Sequence, residues 1–416
     1  MSRSLIIQLA RLGDLIQSLP AITSLHRYFS DQSLDLLCAA PLVPLGQLFP
    51  GIQRVYPWEG EQWHALAVSF NSLDTIENDA VGRYWDNCDF PSYAMAYNLN
   101  NHPRGILAAH LLSAYVVGAG DQGPLKSTLS PWIEYLQKVA CGRGNNRIHL
   151  ADAFCGLSGV KPPMVVPTIQ ARDNELQSDL ARIVDDSSQL KIGIVLGAGD
   201  IDRRVPLAMW RQLIEACVDN LPHCLCVLIG GVGEREASLA LEDQLAPQYL
   251  SRILNGVGRT TLPQLAQVFN RCQWVIGSDT GPLHLGVACG ARAIGWYFSR
   301  ARVHETGPYG EGHYVWQHQK STISKNRETQ GLRQKQEHPC SWPIIETIQL
   351  ILGERVSEYS SEWELWTSHR DEWGMFYTNR GKPDDMVLQR KEIWERLSAL
   401  WSHQNTLLTP REMIAG

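Results

Sequence analysis

From Lys191 onward, short apolar runs alternate with stretches whose apolar residues recur at three- and four-residue spacing. The runs Ile192-Gly193-Ile194-Val195-Leu196, Cys224-Leu225-Cys226-Val227-Leu228-Ile229, Arg252-Ile253-Leu254-Asn255, Trp274-Val275-Ile276-Gly277 and Ala293 to Phe298 read as strands. Between them, Pro206 opens a helix running to about Asp219 with Trp210, Leu213, Ile214 and Cys217 on one face. Further helices are predicted from Glu234, over Leu262 to Phe269, and from Pro282 to Cys289, where Gly290 stops the last. The repeated strand–helix–strand alternation implies crossovers between parallel strands, with helices over both faces. A parallel sheet covered by crossover helices satisfies that pattern.

Residues 1–170 repeat the alternation less regularly. Leu5-Ile6-Ile7-Gln8-Leu9 is a predicted strand, and Asp14 to Phe29 a helix carrying Leu15, Leu19, Ile22 and Leu25 on one face, kinked at Pro20. Ser33 to Ala39 reads as a second strand and Arg104 to Val117 as a buried helix, while residues 60–130 otherwise carry no legible pattern. The proline-rich and then charged stretch from Val160 to about Leu190 reads as a linker. The expected organisation is therefore α/β, with one domain over residues 1–175, a second over 190–345, and a Trp-rich helical tail over 346–416. In the tail, Ile393, Leu397, Leu400 and Trp401 form an amphipathic stripe, expected to pack back on the body or to bind a partner helix.

Bulk properties narrow the possible partners. A net charge of −6 without a long basic run argues against nucleic acid, and the mixed stretch Lys320 to Lys335 reads as a solvated loop. The 10 cysteines are scattered with no Cys-x-x-Cys pair, and Cys224 and Cys226 fall on one strand face as small core hydrophobes. No metal or disulfide framework is expected, which suits a reducing cytoplasm. The apolar run at the start is too short for a signal peptide, and no stretch reaches the length of a membrane span. Any membrane association would be peripheral, at the inner face.

Several loops fall at the carboxyl ends of predicted strands, where open α/β sheets bind ligands. Gly197-Ala198-Gly199 follows a strand and lets backbone N–H groups approach a phosphate, with Arg203 and Arg204 close behind as cations. Gly230-Gly231-Val232-Gly233 leaves Glu234 in a first helical turn, where its carboxylate could accept from ribose hydroxyls. Thr280-Gly281 opens a helix whose dipole favours an anion. Each loop alone is a weak signal, since Asp279 or Thr280 could serve only as an N-cap. Their agreement on one sheet edge is the informative observation.

The ordered set Leu5 to Ala21 (with Arg11-Leu12-Gly13-Asp14), Gly197 to Pro206, Gly230 to Glu234, Ser278-Asp279-Thr280-Gly281-Pro282-Leu283-His284-Leu285 and Thr306-Gly307-Pro308-Tyr309-Gly310 resembles glycosyltransferase family 9, the heptosyltransferases. The resemblance implies a GT-B fold, two Rossmann-like domains facing across a cleft, with the acceptor on the N-terminal domain and a nucleotide sugar on the C-terminal one. It further implies an inverting, metal-independent transferase with no cofactor, the nucleotide sugar being a co-substrate and a glycolipid or glycan the acceptor. By motif position Asp14 would be the general base, flanked on the acceptor side by Arg11 and Gly13. Because a helix N-terminus stabilises a carboxylate, such a base works through position more than through basicity. On the donor side, Arg203 stands where the family carries a diphosphate-binding Lys. There Glu234 would hold the ribose, Asp279 would face the sugar hydroxyls, and Thr280, Gly281 and His284 would surround the phosphates beside Gly197, Ala198 and Gly199.

Two departures bear on the donor. Phe298-Ser299-Arg300-Ala301-Arg302 replaces the family's Gly-Pro-Thr-Asp-Pro-like loop, and Val205 stands where a Trp is usual. The expected activity is transfer of heptose from ADP-heptose to a lipopolysaccharide core or related glycan. The alternatives are another nucleotide sugar, a protein acceptor, or a nucleotide-sugar-binding protein without catalysis. A dehydrogenase is disfavoured because no Gly-x-Gly-x-x-Gly opens the first helix.

Overall fold

The computed structural model describes residues 3–30, 32–58, 90–120, 130–141, 146–171, 189–319, 339–379 and 385–404, together with 176, 180 and 181. The expected loop Lys320 to Lys335 lies outside them, as do most of residues 60–130, much of the expected linker and the side chain of Trp401. The chain divides into two compact units. One comprises Met1–Pro167, Asp371–Gly374 and Leu388–Gly416, and the other Thr168–Arg370 and Met375–Val387.

The first unit is built on a five-stranded sheet in the order β3-β2-β1-β4-β5, from β1 (Arg3–Gln8), β2 (Ser33–Ala39), β3 (Ile52–Trp58), β4 (Met95–Asn98) and β5 (Val116–Gly118). All its pairings are parallel. Leu5, Ile6 and Ile7 are wholly buried on both faces of β1, as the unbroken apolar run requires. The helix expected from Asp14 is two helices, Leu12–Gln17 and Leu19–Tyr28, parted at Ser18. The Ser18 hydroxyl donates to the Leu15 carbonyl at 2.6 Å, and Pro20 has no N–H to offer the Ile16 carbonyl four residues back.

The helix expected over Arg104 to Val117 ends at Leu112, and Val116-Val117-Gly118 is strand β5. Ser113 is extended there, and the β-branched pair joins β4 in a parallel ladder. The first domain also ends earlier than residue 175. The Asn270 side chain donates to the Ile169 carbonyl at 3.1 Å and accepts from the Ala171 N–H at 3.0 Å, so 168–171 belongs to the second unit.

The second unit carries an eight-stranded sheet in the order β13-β12-β11-β10-β9-β6-β7-β8. Its parallel part comprises β6 (Leu190–Val195), β7 (Cys224–Ile229), β8 (Ile253–Asn255), β9 (Trp274–Gly277), β10 (Arg292–Tyr297) and β11 (Tyr314–His318). Helix Leu207–Asn220 buries Trp210, Leu213, Ile214 and Cys217, the face its periodicity specifies. Trp210 stacks on Trp296 of β10 with ring centroids 5.2 Å apart. Helix Leu262–Phe269 opens on a capping box: Gln264 Oε1 accepts from the Thr261 N–H at 2.8 Å, and Thr261 Oγ1 from the Gln264 N–H at 3.4 Å.

The tail is not all helix. β12 (Trp363–Asp371) pairs antiparallel with β11, and β13 (Gly374–Asn379) pairs with β12. The free edge of β11 recruits these residues by backbone hydrogen bonding, which side-chain periodicity does not report. Gly374, at φ +101°, closes the turn where an added Cβ would sit 2.3 Å from the Asp152 carboxyl. Helix Ile344–Leu352 lies at the start of the tail and Asp385–Gln404 near its end, and the buried positions of the latter include Val387, Arg390 and Trp394. Ile393 and Leu397 are half-buried and Leu400 is exposed, so the buried stripe is rotated from the one expected.

Trp394 meets Trp132 edge-on at 4.6 Å, within the first unit. Replacing Trp394 with Ala should cost about 3–5 kcal/mol of that unit's stability. Urea unfolding measures it, and a loss below about 1 kcal/mol would show that the helix contributes little to the unit.

Candidate functional site

Both sheets place β-strands in the 3-2-1-4-5 succession that reverses direction at its first strand. In the first unit the reversal lies between β1 and β4, and in the second between β6 and β9. The crevice beyond the carboxyl ends at such a reversal is where α/β sheets hold ligands. The sequence-predicted residues divide between these two edges.

In the first unit, Asp14 sits in the first turn of helix Leu12–Gln17, directly after β1. Its side chain is 26% exposed, so solvent reaches the carboxylate. Arg11 Nε lies 3.8 Å from Asp14 Oδ2, but the Arg11 side chain is 84% exposed, and such a pair contributes at most about 1 kcal/mol. Gly13 lies between them, half-buried.

Neutral amides set the departure of this loop from the sheet. Asn100 Nδ2 donates to Gln8 Oε1 at 2.5 Å, Asn100 Oδ1 accepts from the Leu9 N–H, and Gln8 Oε1 also accepts from the Ala10 N–H at 3.3 Å. Asn98 continues the network, accepting from the Asn100 N–H at 3.0 Å and donating to the Ala119 carbonyl at 2.8 Å. Sequence reasoning missed these amides, although Asn98-Leu99-Asn100 at a strand end was a visible signal.

In the second unit the loops after β6 and β9 are tied together by charge. Arg203 Nη1 donates to the Asp279 carbonyl at 2.7 Å and lies 3.4 Å from Asp279 Oδ2. His284, on the first turns of helix Gly281–Ala288, holds Asp279 Oδ1 at 3.2 Å through Nε2. The Asp279 side chain is 11% exposed, and burial pushes its carboxyl pKa up. The hydrogen bond and charge of His284, the Arg203 guanidinium and the Thr306 hydroxyl outweigh that burial and hold the group below its ordinary value. Asp279 is therefore an anion sustained by three partners from three segments. The structure thus brings Arg203, Asp279 and His284 together, with Thr280 beside them bonded to the Ser278 carbonyl at 3.2 Å.

Glu234 is held separately. Its Oε2 accepts from the Gly231 N–H at 2.9 Å, and its Oε1 lies 3.5 Å from Arg204 Nη2. Gly197 is where that carboxyl group rests, since a Cβ there would come within 2.7 Å of Glu234 Cδ. Gly199, by contrast, has open space around it, so no steric demand explains its glycine. Ala198 is buried and its carbonyl accepts from Arg204 Nε at 3.4 Å. Gly281 is half-buried at the helix start. Val205, at a family Trp position, is packed into the core of the sheet.

Thr306 was visible only as part of a motif, without a role. Arg204 was grouped with Arg203 as a phosphate cation, whereas the structure directs it to Glu234.

Residues 146–335, just under half of the chain, match the model of glycosyltransferase family 9 (heptosyltransferase). No match was found among curated protein sequences. Among solved structures, a glycosyl transferase family 9 protein from Veillonella parvula superposes with TM-score 0.61 at 17% identity, over 80% of this chain and 92% of that one. The E. coli ADP-heptose lps heptosyltransferase II gives TM-score 0.53 at 19% identity, over 74% and 88%. E. coli heptosyltransferase WaaC with ADP gives 0.52 at 16% identity, over 74% and 91%. These likenesses establish the fold, mixed α/β with parallel sheets of the GT-B kind.

A test follows from the depressed Asp279 carboxyl. A group with a lowered folded-state pKa adds stability above its unfolded pKa, and that stability is lost as pH falls through the folded pKa. Removing His284 or Arg203 should raise the Asp279 pKa. In acid titrations followed by near-UV circular dichroism, His284→Ala should therefore lose structure at higher pH than wild type. Identical acid transitions would show that His284 does not support the anion.

Proposed function

We propose that this chain, whose residues 146–335 match the model of glycosyltransferase family 9, is an inverting transferase that moves heptose from ADP-heptose to a lipopolysaccharide core or related glycan. The observation that carries the proposal is the buried Arg203–Asp279–His284 cluster at the β6/β9 reversal, lying inside the matched segment. Such a cluster offers a cation and a carboxylate together at a ligand edge. The donor assignment draws on solved structures that this chain resembles, the E. coli ADP-heptose lps heptosyltransferase II and heptosyltransferase WaaC with ADP-2-deoxy-2-fluoro heptose.

Each unit supplies one half of the chemistry. In the first, Asp14 takes the proton from the acceptor hydroxyl as its oxygen attacks the anomeric carbon. The bond from that carbon to the diphosphate oxygen breaks, the electron pair leaves with the nucleoside diphosphate, and configuration inverts. In the second, Arg203 and the backbone N–H groups of the Gly197 and Thr280 loops face the departing negative charge. Asp279 accepts from the sugar hydroxyls, and Glu234, already oriented by Gly231 and Arg204, accepts from the ribose. No metal and no cofactor enters this scheme. The enzyme would work at the cytoplasmic side, meeting a glycolipid acceptor peripherally.

Asp14→Asn removes the base and keeps the shape. Turnover should fall by about 100- to 10,000-fold, with nucleotide-sugar affinity within twofold of wild type. Unchanged turnover would rule out Asp14 as the base. A thermal-shift screen against ADP-, UDP- and GDP-sugars tests the donor, since saturating ligand stabilises the native state by roughly 2–4 kcal/mol. Stabilisation by a UDP- or GDP-sugar and none by an ADP-sugar would overturn the heptose assignment.

A further inference from the structure

The segment carrying Thr306, whose hydroxyl lies against the Asp279 carboxylate and donates to the Arg302 carbonyl at 3.5 Å, is clamped by four strands in turn. It begins with a helical turn, Val303–Thr306, and continues through Gly307 and Pro308. From β10, the Tyr297 hydroxyl donates to the Thr306 carbonyl at 2.8 Å. From β11, Gln317 Oε1 accepts from the Val303 N–H at 3.0 Å. From β12, the Trp366 ring packs edge-on against His304 at 4.7 Å. From β13, the Tyr377 hydroxyl donates to the Pro308 carbonyl at 2.7 Å.

Tyr297 and Tyr377 are both essentially fully buried, so each hydroxyl has been withdrawn from water and depends on its carbonyl partner. Gly307, between the two accepting carbonyls, has no room for a side chain. A Cβ there would stand 2.3 Å from the Tyr377 hydroxyl and 2.6 Å from the Val303 carbonyl. Tyr377 therefore fixes where Gly307 and Pro308 run, one residue beyond the threonine whose hydroxyl supports the Asp279 carboxylate. Yet Tyr377 lies outside residues 146–335, in the part of the tail that departs from helix.

We propose that the C-terminal hairpin is a working part of the sugar-binding site, with Tyr377 as a positioning residue that holds Thr306 on Asp279. This rests on the assignment of Asp279 to the donor sugar. The consequence is selective. A loosened Thr306 segment disturbs the group that faces the sugar, whereas the ribose contact assigned to Glu234 and the phosphate contacts assigned to backbone N–H groups of the Gly197 and Thr280 loops do not run through Thr306.

The test is calorimetric titration of the full-length protein with ADP-heptose and, separately, with ADP. Tyr377→Phe keeps the ring and removes the hydroxyl. It should weaken ADP-heptose about five- to tenfold and leave ADP within twofold. Tyr297→Phe, which frees the neighbouring carbonyl, should show the same selectivity. Thr306→Val combined with Tyr377→Phe should lose no more affinity than the worse single variant, because both act on one contact. Equal losses for ADP and ADP-heptose, additive losses in the pair, or no loss in either phenol variant would overturn the inference. If wild-type protein binds neither ligand, the donor assignment itself fails and this inference fails with it.

Discussion

A carboxylate withdrawn from water must be paired, and Asp279 is such a group. An unpaired buried charge costs several kcal/mol, so its surroundings are constrained wherever they contribute a partner. Arg203 must cross from the loop after β6 to the end of β9. His284 must lie one helical turn beyond the strand, which fixes the start of helix Gly281–Ala288. Thr306 must return from beyond β10, which requires a tightly routed segment with glycine at 307. The sheet order is what makes these three approaches converge, since β6 and β9 are neighbours only because the chain reverses direction between them.

The two units share a topology and differ in how they treat the same edge. At β1/β4 the strand ends are joined by neutral amides from Gln8, Asn98 and Asn100, which direct the loop carrying Asp14 without adding charge beside it. At β6/β9 the loops are joined by ions. The contrast leaves a partly exposed carboxylate, Asp14, at one edge and an ion cluster centred on the buried Asp279 at the other. The Arg203 guanidinium is held in one place by its contacts with the Asp279 carbonyl and carboxylate.

From β6 to β10, the strands and helices of the second unit were legible almost residue by residue. Trp210, Leu213, Ile214 and Cys217 reported their buried face, and Thr261 with Gln264 reported a helix start. These signals are local, set by steric and hydrogen-bonding preferences within one turn or one pleat. The site was legible in part for the same reason, because Gly197, Glu234 and Asp279 each follow a recognisable strand. What escaped was the tail. Trp363 and Trp366 stand at helical spacing, and nothing within that segment indicates that β11 has an edge to offer.

The sequence by itself determined the fold class, the alternation of elements, the loops at the carboxyl edge and the family they resemble. Those properties depend on neighbours within a few positions along the chain. Tertiary structure alone decided that Arg204 turns to Glu234, that Thr306 supports Asp279, and that residues 363–379 extend the sheet so that Tyr377 reaches Pro308. Each of these joins residues far apart in sequence through one hydrogen bond or ion pair. Such contacts leave no periodicity behind, because they form only where the packed sheet brings the partners within reach.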